Sequence, residues 1–112
     1  MLLVMAIIFY LSHQPGHEIV QLFWGADKLA HFIVYGVLAT TSIYFFSSPK
    51  NQISRKGIAF ITVTICFVYG MLDEFHQSFI PGRYPSLMDI VADLAGGLIV
   101  AALWLYTIRR KR

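Results

Sequence analysis

Seven side chains able to bind or transfer charge fall within 21 residues: Asp73, Glu74, His76, Gln77, Arg83, Asp89 and Asp93, all inside the stretch MLDEFHQSFIPGRYPSLMDIVAD (71–93). A second group, Asp27, Lys28, His31 and Tyr35, lies in DKLAHFIVY. Carboxylates with an imidazole and an amide are donors for a divalent cation. His beside Asp can act as a general acid–base pair. Arg83 with Lys28 can grip a phosphate or a carboxylate. The chain has no tight His/Cys spacing of the zinc type, and nothing in the sequence ties Ser78 or Ser86 to a histidine as a nucleophile. Spacing therefore leaves open whether this is an enzyme.

The spacing does say how these residues are presented. Asp27 and His31, Asp73 and Gln77, and Asp89 and Asp93 are each four apart, which puts each pair on one helix face. Tyr35 extends the first stripe. On the last segment the stripe runs on through Gly97 and Ala101, with Ala92 and Gly96 beside it. Small residues let helices approach closely in lipid, so the acidic face of that helix is expected to face its neighbours.

The surroundings are greasy. Of 112 residues, 57% are hydrophobic and only 13% charged, and mean hydropathy is +0.64. Soluble domains carry about 25% charged residues, so this chain lacks the polar side chains to coat a water-soluble surface. The length suits a single domain over 1–112. The lone Cys66 forms no disulfide within the chain, and the basic residues form no stripe suited to nucleic acid. The start, MLLVMAIIFYLS, has no basic region or small-residue cleavage site of a removed signal.

Four apolar segments are read as an all-α bundle of about four transmembrane helices: 1–12, 27–46, 57–75 and 87–108. The first reaches only about 18 Å against a hydrocarbon core of about 30 Å. Residues 47–56 read as a loop, and Pro81, Gly82 and Pro85 exclude helix from 78–86. Ser86 is placed to cap the last helix, with Asp89 three residues later as in a capping box. Lys50, Arg55, Lys56 and the tail Arg109, Arg110, Lys111 and Arg112 gather at one end, whereas Lys28 and Arg83 are the only bases at the other. Cytoplasmic flanks are enriched in Lys and Arg, so both termini are expected in the cytoplasm. All six acids, Glu18 included, and His13, His17, His31 and His76 then fall toward the outer ends. Asp93 begins a stretch of about 24 Å to Ile108 and so lies below the outer boundary. A lone carboxylate there costs about 2.5–3.5 kcal/mol and requires a proton, a partner or a watery pocket; Arg83, Lys28 and His31 are the candidate partners.

Simpler roles compete for each residue. Asp27 and Asp89 can be caps, Lys28 can snorkel, His31 can be a polar core residue bonded to a neighbouring helix, Tyr35 a packing aromatic, Asp73 and Glu74 the end of the third span, and Asp93 part of a structural ion pair. Their joint placement at one end favours a site.

DKLAHFIVYGVLA and DEFHQSFIPGRYPSLMDIVADLAGGLIVA resemble the VanZ family of small membrane proteins, whose pattern falls on Asp27, Lys28, His31, Tyr35, Asp73, Glu74, Gln77, Arg83, Asp89, Asp93 and Gly96. LSHQPG (11–16) resembles the family's N-terminal Ser–Gln segment. Two departures are a short first span and Asp93 where the family usually has Asn. The resemblance implies a multi-pass protein of the bacterial cytoplasmic membrane, linked to glycopeptide (teicoplanin) resistance. The expected function is an outward polar pocket that binds an anionic lipid or a peptidoglycan-precursor headgroup, with membrane lipids as partners and no nucleic acid. Two alternatives stand beside it. One is an enzyme acting on an envelope lipid, with or without a metal; the other is a purely structural role for the polar residues.

Overall fold

A computed structural model describes residues 1–14, 26–84 and 86–110. Expectations that fall on Pro15, Gly16, His17, Glu18, Pro85, Lys111 and Arg112 lie outside the described residues. Four helices are present: α1 (Leu2–Ser12), α2 (Ala26–Phe46), α3 (Arg55–Gln77) and α4 (Leu87–Arg110). Among the described residues there is no strand. α2, α3 and α4 have 21, 23 and 24 residues and are long and apolar enough to cross a membrane. At about 1.5 Å per residue they span roughly 31–36 Å. α1 has 11 residues, about 16 Å, so it is a short fourth helix packed on three long ones.

Cross-helix bonds fix the directions. Lys28 meets Asp89 and His31 meets Asp93, so α2 and α4 run in parallel. Tyr35 meets Asp73 on α3, which therefore runs the other way. Tyr69 meets Met5 and Gln77 meets Ser12, so α1 runs alongside α3 in the same direction. The consequence is a segregation of charge: Asp27, Asp73, Asp89 and Asp93 lie toward one end, and Lys50, Arg55, Lys56, Arg109 and Arg110 toward the other.

The packing is inverted relative to a water-soluble bundle. Large apolar side chains such as Leu29, Ile33, Phe60, Phe75, Val91 and Leu103 are exposed, while Ser12, Thr62, Asp73, Glu74, Gln77, Asp89 and Asp93 are buried. That is the arrangement in which lipid receives the apolar faces and polar groups find each other inside. The expected small-residue face on α4 is where the helices meet. A Cβ on Gly96 would lie 2.5 Å from the Phe32 carbonyl oxygen of α2, and one on Gly97 would lie 2.9 Å from the Cys66 side chain of α3. Adjacent glycines thus admit two different neighbours. Cys66 is fully buried, as a small packing residue.

Two local signals place the connections. Ser54 caps α3 by accepting the Gly57 amide at 3.0 Å. After α3, the Arg83 amide donates to the Ile80 carbonyl at 3.2 Å across Pro81 and Gly82, and Gly82 has φ 76°. Proline at the second and a left-handed glycine at the third position make a type II turn. Ser86 accepts the Met88 amide at 3.1 Å as a cap, but the expected reciprocal partner is different. The Ser86 amide donates to Glu74 at 2.8 Å, because Asp89 faces α2 and pairs there with Lys28.

Candidate functional site

The site is assembled in two rows across helix seams. Between α2 and α4, Lys28 Nζ lies 2.9 Å from Asp89 Oδ1 and 3.0 Å from Asp27 Oδ2. About one turn deeper, His31 Nδ1 lies 2.8 Å from Asp93 Oδ1, as an imidazole N–H donating to a carboxylate. Asp93 is fully buried, and the absence of a side chain at Gly70 makes room for it: a Cβ there would lie 2.8 Å from Asp93 Oδ2. The second row joins α1, α2 and α3. Asp73 accepts the Ser12 hydroxyl and the Tyr35 hydroxyl at 3.3 Å. Gln77 Nε2 donates to Ser12 Oγ at 3.3 Å.

Asp93 therefore takes His31 from among its candidate partners. Arg83 is committed elsewhere. Its Nε donates to the Gln14 carbonyl at 3.0 Å and its Nη2 to the Leu11 carbonyl at 2.6 Å. A cation at the C-terminal end of a helix satisfies carbonyls without intrahelical partners and complements the dipole. The type II turn aims Arg83 at α1, and the guanidinium fixes α1 against the bundle. Burial pushes the guanidinium below its ordinary value, against the pull of Asp73, Glu74 and Asp89; Arg nevertheless stays charged. The expected joint grip of Lys28 and Arg83 on one anion is not the arrangement found, since Lys28 is held between Asp27 and Asp89.

A cavity of about 360 Å³ opens between α1, α2 and α3. Its polar lining is Ser12, Gln14, Asp27, His31, Tyr35, Asp73, Gln77 and Arg83; Ile8, Leu11, Ala30 and Val34 are its apolar lining. Of the ten sequence-predicted residues, Asp27, His31, Tyr35, Asp73, Gln77 and Arg83 share this cavity. Lys28 and Asp89 form the ion pair on the α2–α4 seam. Glu74 and Asp93 complete a compact group with His31 and Asp73, whose ligand-capable atoms all lie within 4.8 Å of one another. Among the described residues, those four are the ones that could hold a metal ion.

Spacing alone did not single out Gly70, Tyr69 or the pairing of His13 with His76. Gly70 cradles Asp93; its signal is a glycine inside an apolar helix, where it is unfavourable by about 1 kcal/mol without a packing reason. Tyr69 donates to the Met5 carbonyl at 2.6 Å and ties α1 to α3. His13 Nδ1 lies 3.2 Å from His76 Nε2, and Phe9 stacks on the His76 ring at 4.6 Å. Nothing in the sequence pairs the two histidines, which are 63 residues apart.

Fold and site together define a multi-pass helical membrane protein with a polar cluster buried at one end of its bundle. More narrowly, the VanZ/LLP1 family matches residues 1–109, and the chain belongs to that family. It is also similar to the "Uncharacterized protein C11E3.10" of Schizosaccharomyces pombe, with 38% identity over 71 residues, 62% of this chain and 41% of that protein. The matched stretch thus spans about two-fifths of the relative's length. No solved structure matches.

Proposed function

We propose that the cavity receives the head region of a membrane amphiphile, an anionic lipid or a lipid-linked cell-wall precursor, from the outer leaflet of the bacterial cytoplasmic membrane. The observation that carries this reading is the lining itself: apolar side chains together with His31, Tyr35, Asp73, Gln77 and Arg83 within about 360 Å³. Ligand sites commonly combine such an apolar lining with a few fixed polar groups. Arg83 bonds two carbonyls and keeps guanidinium donors beyond those two for an anionic group. Asp27, Asp73 and Gln77 suit hydroxyls and amides. A relative in a yeast favours a lipid headgroup, common to all membranes, over a ligand confined to bacterial walls. Reduced sensitivity to teicoplanin is the physiological outcome that the family resemblance suggests, through shielding of such a headgroup.

The test is binding of fluorescent polyprenyl phosphate, and separately of teicoplanin, to the chain in lipid nanodiscs. Saturable lipid binding that Asp73→Asn and Gln77→Ala weaken supports the reading. Equal, negligible binding by all three proteins rules it out. Expression in a sensitive bacterium, with the teicoplanin inhibitory concentration as readout, tests the resistance link. An enzyme acting on such a lipid is a second reading, favoured by the His31–Asp93 contact of 2.8 Å next to the cavity; turnover of a labelled lipid pool by the purified protein decides it.

A further inference from the structure

We propose that His31, Asp73, Glu74 and Asp93 bind one divalent transition cation, such as Mn²⁺ or Zn²⁺, inside the bundle. This does not rest on the amphiphile reading. The first observation is convergence. Three helices bring one imidazole and three carboxylates together with all four ligand-capable atoms within 4.8 Å. Donors at 2.0–2.2 Å lie about 4.0–4.4 Å apart on opposite sides of an ion and about 3.3–3.6 Å apart in a tetrahedron, so closure needs the widest pair to contract by about 0.4–1.5 Å.

The second observation concerns unmet bonding. Glu74 gives one oxygen to the Ser86 amide, and its Oε1 is buried with no hydrogen-bond partner among the described residues. Asp93 gives Oδ1 to His31, and its Oδ2 is likewise buried and unpartnered. Glu74 is 5% exposed and Asp93 0%. Buried polar atoms in native proteins nearly always have partners, and both of these belong to the convergent group.

The third observation is charge. Three carboxylates this close inside an apolar bundle need compensation, by protons or by a cation. Lys28 is held by Asp27 and Asp89, and the Arg83 bonds go to backbone carbonyls. Among the described residues, no other Lys or Arg lies at this end. A dication supplies the missing positive charge, and the mixed nitrogen and oxygen set suits a first-row transition ion better than Ca²⁺, which takes six to eight oxygens.

The experiment uses the full chain in detergent micelles, stripped with chelator and then titrated with Mn²⁺ followed by paramagnetic resonance, and with Zn²⁺ by calorimetry. The expected result is one ion per chain. Glu74→Gln and Asp93→Asn, checked for fold by circular dichroism, bind about 100-fold more weakly or worse. Should both variants fail to fold, the nitrogen coupling of Mn²⁺ bound to folded single-histidine variants decides the matter. It persists in His13→Gln and His76→Gln and vanishes in His31→Gln. No saturable binding by the folded wild-type chain overturns the proposal, as does binding unchanged in both carboxylate variants. Coupling that vanishes in His76→Gln instead places the ion on the His13–His76 pair and also overturns it.

Discussion

Gly96→Ala is expected to loosen the bundle at the seam that carries the site, and Gly36→Ala, on the facing helix, is not. A methyl on Gly96 would lie 2.5 Å from the Phe32 carbonyl oxygen and 3.1 Å from the Gly36 nitrogen. Both are backbone atoms, so no side chain can rotate away. Carbon–oxygen contacts between helices settle near 3.3–3.6 Å, and α2 and α4 must therefore separate locally by roughly 0.8–1 Å. Overpacking of this kind costs about 1–3 kcal/mol. Alanine recovers about 1 kcal/mol over glycine in helix propensity, for a net loss of up to about 2 kcal/mol and a deficit of about 1–3 kcal/mol against Gly36→Ala, which makes the same propensity gain. A methyl on Gly36 would meet only Val100 Cγ2 at 3.6 Å, an ordinary contact, so that variant is neutral or slightly stabilised. The assay is unfolding of both variants in mixed micelles by SDS titration, with helicity as the signal. A second readout is local. Residues 31 and 93 flank the 32–96 contact, so separation lengthens the 2.8 Å His31–Asp93 bond and shifts the His31 ring nitrogen resonances in Gly96→Ala alone. Equal stability of the two variants, with unchanged His31 resonances, would refute the backbone-contact argument.

Further outcomes follow from single contacts. Arg83→Lys keeps the charge but loses the fork that spans the Leu11 and Gln14 carbonyls. It should destabilise the docking of α1 by about 1–3 kcal/mol, read as faster amide hydrogen exchange in α1 than in α2. Tyr69→Phe removes the 2.6 Å bond to the Met5 carbonyl and should speed exchange in the same helix, with a loss of about 1 kcal/mol. Gly82→Ala places a side chain at φ 76° and should cost about 1 kcal/mol or more, read as lower thermal stability and a displaced Arg83. For orientation, a thiol introduced at position 83 should react with an impermeant reagent from outside the cell and one at position 50 should not; the reverse pattern removes the outer-leaflet setting of the proposed function.

Much of the architecture was written in the sequence, because membrane insertion makes strict local demands. A run of apolar residues must become helix in lipid, where every backbone group needs an internal partner. The ranges read as 27–46, 57–75 and 87–108 match α2, α3 and α4 to within about two residues at each end, and the first segment forms α1 over Leu2–Ser12. Period-four spacing likewise revealed which side chains share a face. It could not say which faces meet, since that depends on helix rotation and register fixed by contacts many residues apart. Only the packed bundle decided that Asp93 pairs with His31 and not Arg83, that Arg83 turns back to the carbonyls of α1, and that Glu74 holds the Ser86 amide in place of Asp89. Gly96, Gly97 and Gly70 set those registers: without side chains they allow approaches of the order of a single atom's width, and that closeness brings separate polar stripes into one cluster.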